Sequence, residues 1–278
     1  MEGIQTYQED VREILSHRYD MGWDYWTTID KRLLKGSPFS TIDCALYLAE
    51  LGMDIDSPLV QEIADLIFST WREDGRFKLY PQGMIYPCQT IHATNVLCGL
   101  GYANDERIQK TFHYLMDNRH KDGGWRCNKF SYGRGPETAY SNPFPTLIAL
   151  NALRYSPFYH NQSLDAAIEF LLSHWKTKKP LGPCHYGIGT LFMQVEYPFR
   201  TYNLFYYVYV LSFYPKTKSD KRFWEAFSAL KANLFDEKVV IERTHPKLTH
   251  LSFSQKGKPS LLATTRYQEI LVNLNNSD

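Results

Sequence analysis

Apolar residues recur along this chain in a cycle of about fifty residues, and each cycle opens on the pentapeptide x-Pro-[Phe/Cys]-x-Thr. The copies read Ser37-Pro38-Phe39-Ser40-Thr41, Tyr86-Pro87-Cys88-Gln89-Thr90, Asn142-Pro143-Phe144-Pro145-Thr146 and Tyr197-Pro198-Phe199-Arg200-Thr201. Their prolines lie 49, 56 and 55 residues apart, a period that marks a repeat architecture. Each copy opens an apolar run long enough for a helix. Proline suits a first helical turn because its missing N–H has no partner there. The runs over 41–51 and 90–100 end at Gly52 and Gly101, where a left-handed glycine caps a helix.

A second helix with a mixed apolar and charged face follows, over 60–71, 107–119, 163–175 and 221–234. Ile108, Phe112, Leu115 and Met116 fall three to four residues apart, one buried stripe with a solvated opposite side. Then comes a glycine turn with an aromatic residue: Asp74-Gly75-Arg76-Phe77, and again Asp122-Gly123-Gly124-Trp125. Gly182-Pro183-Cys184-His185-Tyr186 holds that place in the third cycle and Asp236-Glu237 in a weaker fourth. A last helix over 261–274 follows Lys258-Pro259. The pattern predicts an all-α chain of four to five helix hairpins, the apolar helix of each pair inside and the amphipathic one outside. Such pairs stack as a solenoid or close as a ring. The row Tyr202, Phe205, Tyr206 and Tyr209 on an inner helix suits a closed (α/α) toroid with an aromatic interior. The expectation is one domain over 1–278: a leader over 1–36 packed on the barrel, repeats over 37–275, and an inserted loop over 128–141. Irregular loops of that length are often functional.

Composition narrows the function. A net charge of +1 excludes a general nucleic-acid or anionic-membrane binder, which carries a basic excess. The charged N-terminal stretch has no apolar core of a secretory signal. The most apolar run, 204–214, is about half a membrane span. Five scattered cysteines favour a reducing cytoplasm over a disulfide framework. The aromatic share of 15% means a bulky core or a hollow lined with ring faces.

Among residues that could carry chemistry, Cys88 has an internal control: the other three pentapeptides place Phe39, Phe144 and Phe199 there. Exchanging a packing phenylalanine for a thiol gives up more than about 1 kcal/mol of burial. Cys127 follows the Gly-Gly-Trp-Arg turn, and Cys184-His185 sits in the equivalent turn one cycle later. If the ring closes, Cys88, Cys127, Cys184 and His185 meet at one rim and would satisfy a tetrahedral zinc site; the alternative is that these cysteines are small buried residues. Cys44 and Cys98 read as core. His92 lies four residues after Cys88, on the same helix face, as a base beside a thiol or as an interior hydrogen-bonded histidine. His17, His113, His120, His160, His174, His245 and His250 read as solvated on outer helices and loops. Arg126, Lys129, Arg134 and Arg200 could hold a diphosphate with help from helix N-termini. Glu137 and Asp43 are the carboxylates best placed for acid–base work, Asp43 equally as a helix cap. Tyr202, Phe205, Tyr206 and Tyr209 would face a carbocation or isoprenoid tail, or are core.

Repeated αα pairs closed by Asp-Gly-x-Phe and by Asp122-Gly123-Gly124-Trp125 resemble the terpenoid cyclase and protein prenyltransferase superfamily, over roughly residues 37–275. The segments from Gly182 to Thr190 and from Tyr197 to Phe205 resemble its single-domain prokaryotic members, usually labelled prenyltransferase-like. The resemblance implies an (α/α) toroid processing an isoprenoid substrate in a central cavity. It brings no catalytic motif. The Asp-x-Asp-Asp of squalene-type cyclases is absent, Asp54-Ile55-Asp56-Ser57 being a poor echo in a turn. The Asp-x-Cys zinc pair of protein prenyltransferases is absent too, since Asp43-Cys44 lacks the spacing. The leading expectation is an isoprenoid-processing enzyme acting on a hydrophobic small molecule. A non-catalytic binder of a hydrophobic ligand or partner on the same scaffold comes second, and a carbohydrate-active (α/α) barrel, which needs facing carboxylates, third.

Overall fold

The computed structural model describes residues 7–128, 131–160 and 162–275. They form an all-α protein whose strand content is one two-residue ribbon pair. Two compact units emerge, one of 1–118 with 155–157 and one of 119–154 with 158–278. Among the described residues no helix is long and apolar enough to cross a membrane.

The first unit holds α1 (Gln8–Ser16), α2 (Thr41–Glu50), α3 (Pro58–Phe68), α4 (Pro87–Gly99) and α5 (Glu106–Asp117). Helices α2 and α4 pack side by side, α3 rests on α2, and α5 rests on α4. The apolar pair buries Cys44, Ala45, Leu48, Ala93, Val96, Leu97 and Cys98, while α3 and α5 bury one stripe each, Val60, Ile63 and Ile67 on the one, Ile108, Phe112 and Leu115 on the other. That is the division of labour expected from the alternation of uniform and amphipathic runs.

The second unit holds α6 (Pro143–Leu153), α7 (Asp165–Thr177), α8 (Thr190–Met193), α9 (Leu204–Ser212), α10 (Pro215–Lys218), α11 (Lys221–Lys231), the strands β1 (Leu234–Phe235) and β2 (Lys238–Val239), and α12 (Leu261–Asn275). Helix α6 packs on α7 and α9, and α9 packs on α11 and α12. All of α9 is buried, which explains a run apolar on every side. Asp236 and Glu237, the weak fourth turn, join β1 to β2 with φ of +47° and +58°, the left-handed pair a two-residue hairpin loop demands.

One hydrogen bond ties each well-formed turn to the next helix. Thr90, in the first turns of α4, accepts the N–H of Phe77 at 3.1 Å, and Thr146 of α6 accepts that of Trp125 at 3.2 Å. Both threonines are fully buried. Thr41 instead donates to the Tyr25 carbonyl at 2.8 Å and pairs with Thr27, so the leader segment takes the place of a preceding turn. The turn glycines allow the close approach. A methyl on Gly75 (φ +84°) would stand 2.9 Å from Cβ of Tyr114 on α5, and one on Gly123 (φ +89°) 2.5 Å from Cβ of Ala166 on α7.

The copies differ in where the helix starts. Pro87 and Pro143 occupy its first turn, as expected. In the first and fourth copies the helix begins later, at Thr41 and Leu204, and the bonds before Pro38 and Pro198 are cis. Ser40 and Asn203 cap those helices, accepting from the N–H groups of Asp43 and Tyr206. A side-chain cap fixes the helix start better than proline, which offers no acceptor.

Aromatic rings fill the core of the second unit. Phe199 stacks on Tyr206 at 4.6 Å and Tyr209 at 4.8 Å, and Phe192 meets Tyr202 at 4.7 Å. Tyr202 also hydrogen-bonds His174, whose Nδ1 lies 2.9 Å from the phenol oxygen and whose Nε2 lies 3.0 Å from the Lys179 carbonyl. A carbonyl only accepts, so Nε2 carries the proton and the phenol donates to Nδ1. His174 is fully buried, not solvated as its place on an amphipathic helix suggested. Burial pushes its pKa down to about 4 against the opposing pull of the Lys179 and Tyr186 backbone groups.

Two predictions follow from these contacts. Thr146→Val strands the buried Trp125 N–H and should lower unfolding free energy in urea by about 1–3 kcal/mol, while Thr146→Ser keeps the hydroxyl and loses less; equal losses would mean the bond does not matter. His174 takes up a proton near pH 6.5 when unfolded but resists until about pH 4 when folded. Stability is therefore full above pH 6.5 and falls as pH drops toward 4, by up to about 3 kcal/mol from this group. The double variant His174→Phe, Tyr202→Phe should show a shallower loss across that window in denaturation midpoints taken at each pH.

Candidate functional site

In the first unit the heads of α2 and α4 bring four reactive groups together. Asp43 stands in the first turn of α2, where Ser40 Oγ accepts its N–H at 3.1 Å and donates back to its carboxylate at 2.7 Å, a reciprocal cap of the S-x-x-D kind. Capping and proximity to the site are thus combined in one residue. Cys88 and His92 lie one turn apart on α4, both half-buried. Burial drives the His92 pKa down to about 4, and the Asp43 carboxylate opposes that fall only in part. The imidazole is therefore neutral at physiological pH.

Tyr80 is the fourth group, and sequence reasoning missed it. It comes from the irregular segment before α4, where no periodicity signals a side chain's direction. Its N–H donates to Gln89 Oε1 at 3.3 Å, its hydroxyl donates to the Leu34 carbonyl at 2.8 Å, and Gln89 Nε2 donates to the Met84 carbonyl at 3.3 Å. Burial raises the phenol's pKa, with Cys88 and Asp43 adding to the rise and Arg32 opposing it. Three of the four catalytic candidates, Asp43, Cys88 and His92, thus share one locality; the fourth, His185, belongs to the second unit.

There the inserted loop docks on the third turn. Tyr132 N–H donates to the Pro183 carbonyl at 2.8 Å, Gly182 N–H to the Glu137 carbonyl at 3.0 Å, and Cys184 N–H to Asn142 Oδ1 at 3.0 Å. His185 Nε2 stands 3.7 Å from Glu137 Oε1. Backbone N–H groups, Gly135 first, hold the Glu137 carboxyl below its ordinary pKa, and His185 adds to the effect. Asp122 secures the same region. Burial would raise its pKa, but hydrogen bonds from Ser141, His120 and the Gly124 N–H outweigh it and keep it low.

The remaining candidates are more dispersed. Arg126 Nε donates to the Thr138 carbonyl at 2.9 Å, Arg134 is exposed on the inserted loop, and Lys129 lies outside the described residues. Arg200 precedes Thr201, whose hydroxyl donates to buried Glu196 at 2.8 Å; Glu196 in turn pairs with Arg243 at 2.5 Å. Tyr202, Phe205 and Tyr206 are 8%, 0% and 1% exposed and pack against other rings.

Cys127 is buried, Cys184 half-buried, and no cysteine is in a disulfide. Among the described residues, however, no three His, Cys, Asp or Glu side chains are gathered so as to hold a metal ion. Of the residues expected as zinc ligands, Cys88 belongs to the first unit and Cys127, Cys184 and His185 to the second.

Sequence comparison is silent: no family model and no curated protein matches this chain. Among solved structures it is similar to a substitution variant of the type II terpene cyclase MstE from Scytonema, in complex with its substrate geranylgeranyl dihydroxybenzoate. The two are 12% identical with a TM-score of 0.43, over 100% of this chain and 75% of that one.

Proposed function

We propose that the chain is an enzyme acting on a hydrophobic substrate of the isoprenoid class, with His92 taking a proton from a cationic intermediate. The observation that carries this is a neutral imidazole, of pKa about 4, flanked by the Asp43 carboxylate. A carbocation is an acid strong enough to protonate it, and Asp43 steadies the imidazolium that results. Arg126, Arg134 and Arg200 belong to the same proposal as groups for the anionic end of a substrate, on the strength of their charge alone. So does closure of the hairpins into a toroid around a chamber, which rests on the repeat. No metal enters the proposal.

A second reading, a non-catalytic binder of a hydrophobic ligand, draws on the second unit, where Tyr202, Phe205 and Tyr206 are engaged in packing. One experiment separates the two. Purified protein is incubated with prenyl diphosphates of several chain lengths, and released diphosphate and hydrocarbon products are measured. Turnover is expected, with Cys88→Ser near wild type. His92→Phe and His92→Asn should keep diphosphate release but change the product profile, because the terminating base is gone. No turnover at any chain length would remove the enzymatic reading, and a co-purified lipid without turnover would establish the binder.

A further inference from the structure

The turn after α3 carries a second feature, independent of the activity proposed above. Trp71 and Phe77 form an antiparallel bridge, Arg72 N–H donates to the Arg76 carbonyl at 2.9 Å, and Lys78 N–H donates to the Thr70 carbonyl at 2.9 Å. In such a hairpin alternate residues share a face. Phe77 and Leu79 turn inward and are fully buried. Arg72, Arg76 and Lys78 share the opposite face, with the two arginines directly across from each other.

Like charges placed that way repel, and Asp74, which bonds Arg76, acts on Arg72 only through space. Asp74 is committed to Arg76, at 2.5 and 2.9 Å, and Glu73 stands 3.4 Å from Lys110. Among the described residues, Arg72, Lys78 and the neighbouring Lys31 form no ion pair. Two hollows open along this face, of about 350 Å³ and about 330 Å³, and they share Arg72 and Lys78 as a common wall. The larger also takes in Trp23, Lys31 and Trp71, with the Lys31 ammonium 3.1 Å from the centre of the Trp23 ring. Among the described residues, no aspartate or glutamate lines either hollow.

We propose that this face is a binding site for a phosphorylated small molecule. Its phosphate or diphosphate sits against Arg72 and Lys78, and its planar or apolar part rests in the hollow of Trp23 and Trp71. A doubly charged phosphate relieves the repulsion among the cations and accepts several charge-assisted hydrogen bonds. Tryptophan supplies a broad apolar surface for the remainder.

The test titrates the full chain with inorganic pyrophosphate and with adenosine diphosphate, following tryptophan fluorescence and heat of binding. Both should bind, more weakly at high salt, with adenosine diphosphate the tighter because its base reaches the tryptophans. Arg72→Glu with Lys78→Glu should weaken both by about tenfold or more, and the milder Arg72→Gln, Lys78→Gln pair by less, with the circular dichroism spectrum and melting temperature unchanged. A separate arm offers phosphatidylglycerol vesicles. Binding to vesicles that neither soluble probe displaces would overturn the small-molecule site in favour of a lipid surface. Absence of binding by both probes, or binding indifferent to both pairs of substitutions, would overturn it outright. Equal affinity for the two probes would refute the role given to the tryptophans.

Discussion

A buried threonine hydroxyl, accepting the N–H of the aromatic residue in the turn before its helix, is the contact on which the two Asp-Gly turns depend. An outer helix that ends in a tight turn leaves backbone N–H groups inside the protein with no ladder to join, and an unmet one is costly. Thr90 and Thr146 meet that need from the first turns of α4 and α6. The same bond draws Phe77 and Trp125 into the core, where they are 0% and 2% exposed. It also presses Gly75 and Gly123 against α5 and α7, so that the turn, the next apolar helix and the next amphipathic helix are placed together.

That placement gives meaning to the residue two positions before each threonine. Phe39, Phe144 and Phe199 are 3%, 8% and 4% exposed and fill space around their helix heads. Cys88, in the second copy, fills less and is left half-buried. The locality it leaves less crowded is the one where Tyr80, Asp43 and His92 converge. Protein around His92 denies the imidazolium its hydration, and one nearby carboxylate does not restore it.

Helix order and type were legible in the hydrophobic pattern, because period, glycine stops and the Asp-Gly-x-aromatic turns all pointed the same way. Predicted runs such as 107–119 and 221–234 differ from α5 and α11 by no more than three residues at either end. The runs 41–51 and 204–214 begin where α2 and α9 do, but the expectation that proline opens each helix fails at Pro38 and Pro198, because Ser40 and Asn203 cap those two instead. His174 was misplaced although a signal existed. It stands three residues after Leu171 and four after Phe170, on the buried stripe of α7, and a polar letter drew attention away from the spacing. Tyr80 had no signal at all.

The two Asp-Gly turns show which of their residues the scaffold requires. Both carry an aspartate, a left-handed glycine and a buried aromatic residue, and in both the residue two before the aspartate donates to a carbonyl across the turn, Arg72 to Arg76 and His120 to Gly124. They diverge at the remaining positions. Gly124 cannot be replaced by a larger residue, because a methyl there would stand 2.6 Å from the Thr146 hydroxyl; Arg76 occupies that position in the first turn and reaches outward to Asp74. Asp122 holds Ser141 and so fastens the lead-in to α6, whereas Asp74 does no such work. Arg126, the counterpart of Lys78, donates to the Thr138 carbonyl. The second turn thus commits Asp122 and Arg126 to the fold. Since the same turn forms with His120 and Gly124 in the places of Arg72 and Arg76, the two facing arginines of the first are not a requirement of the repeat.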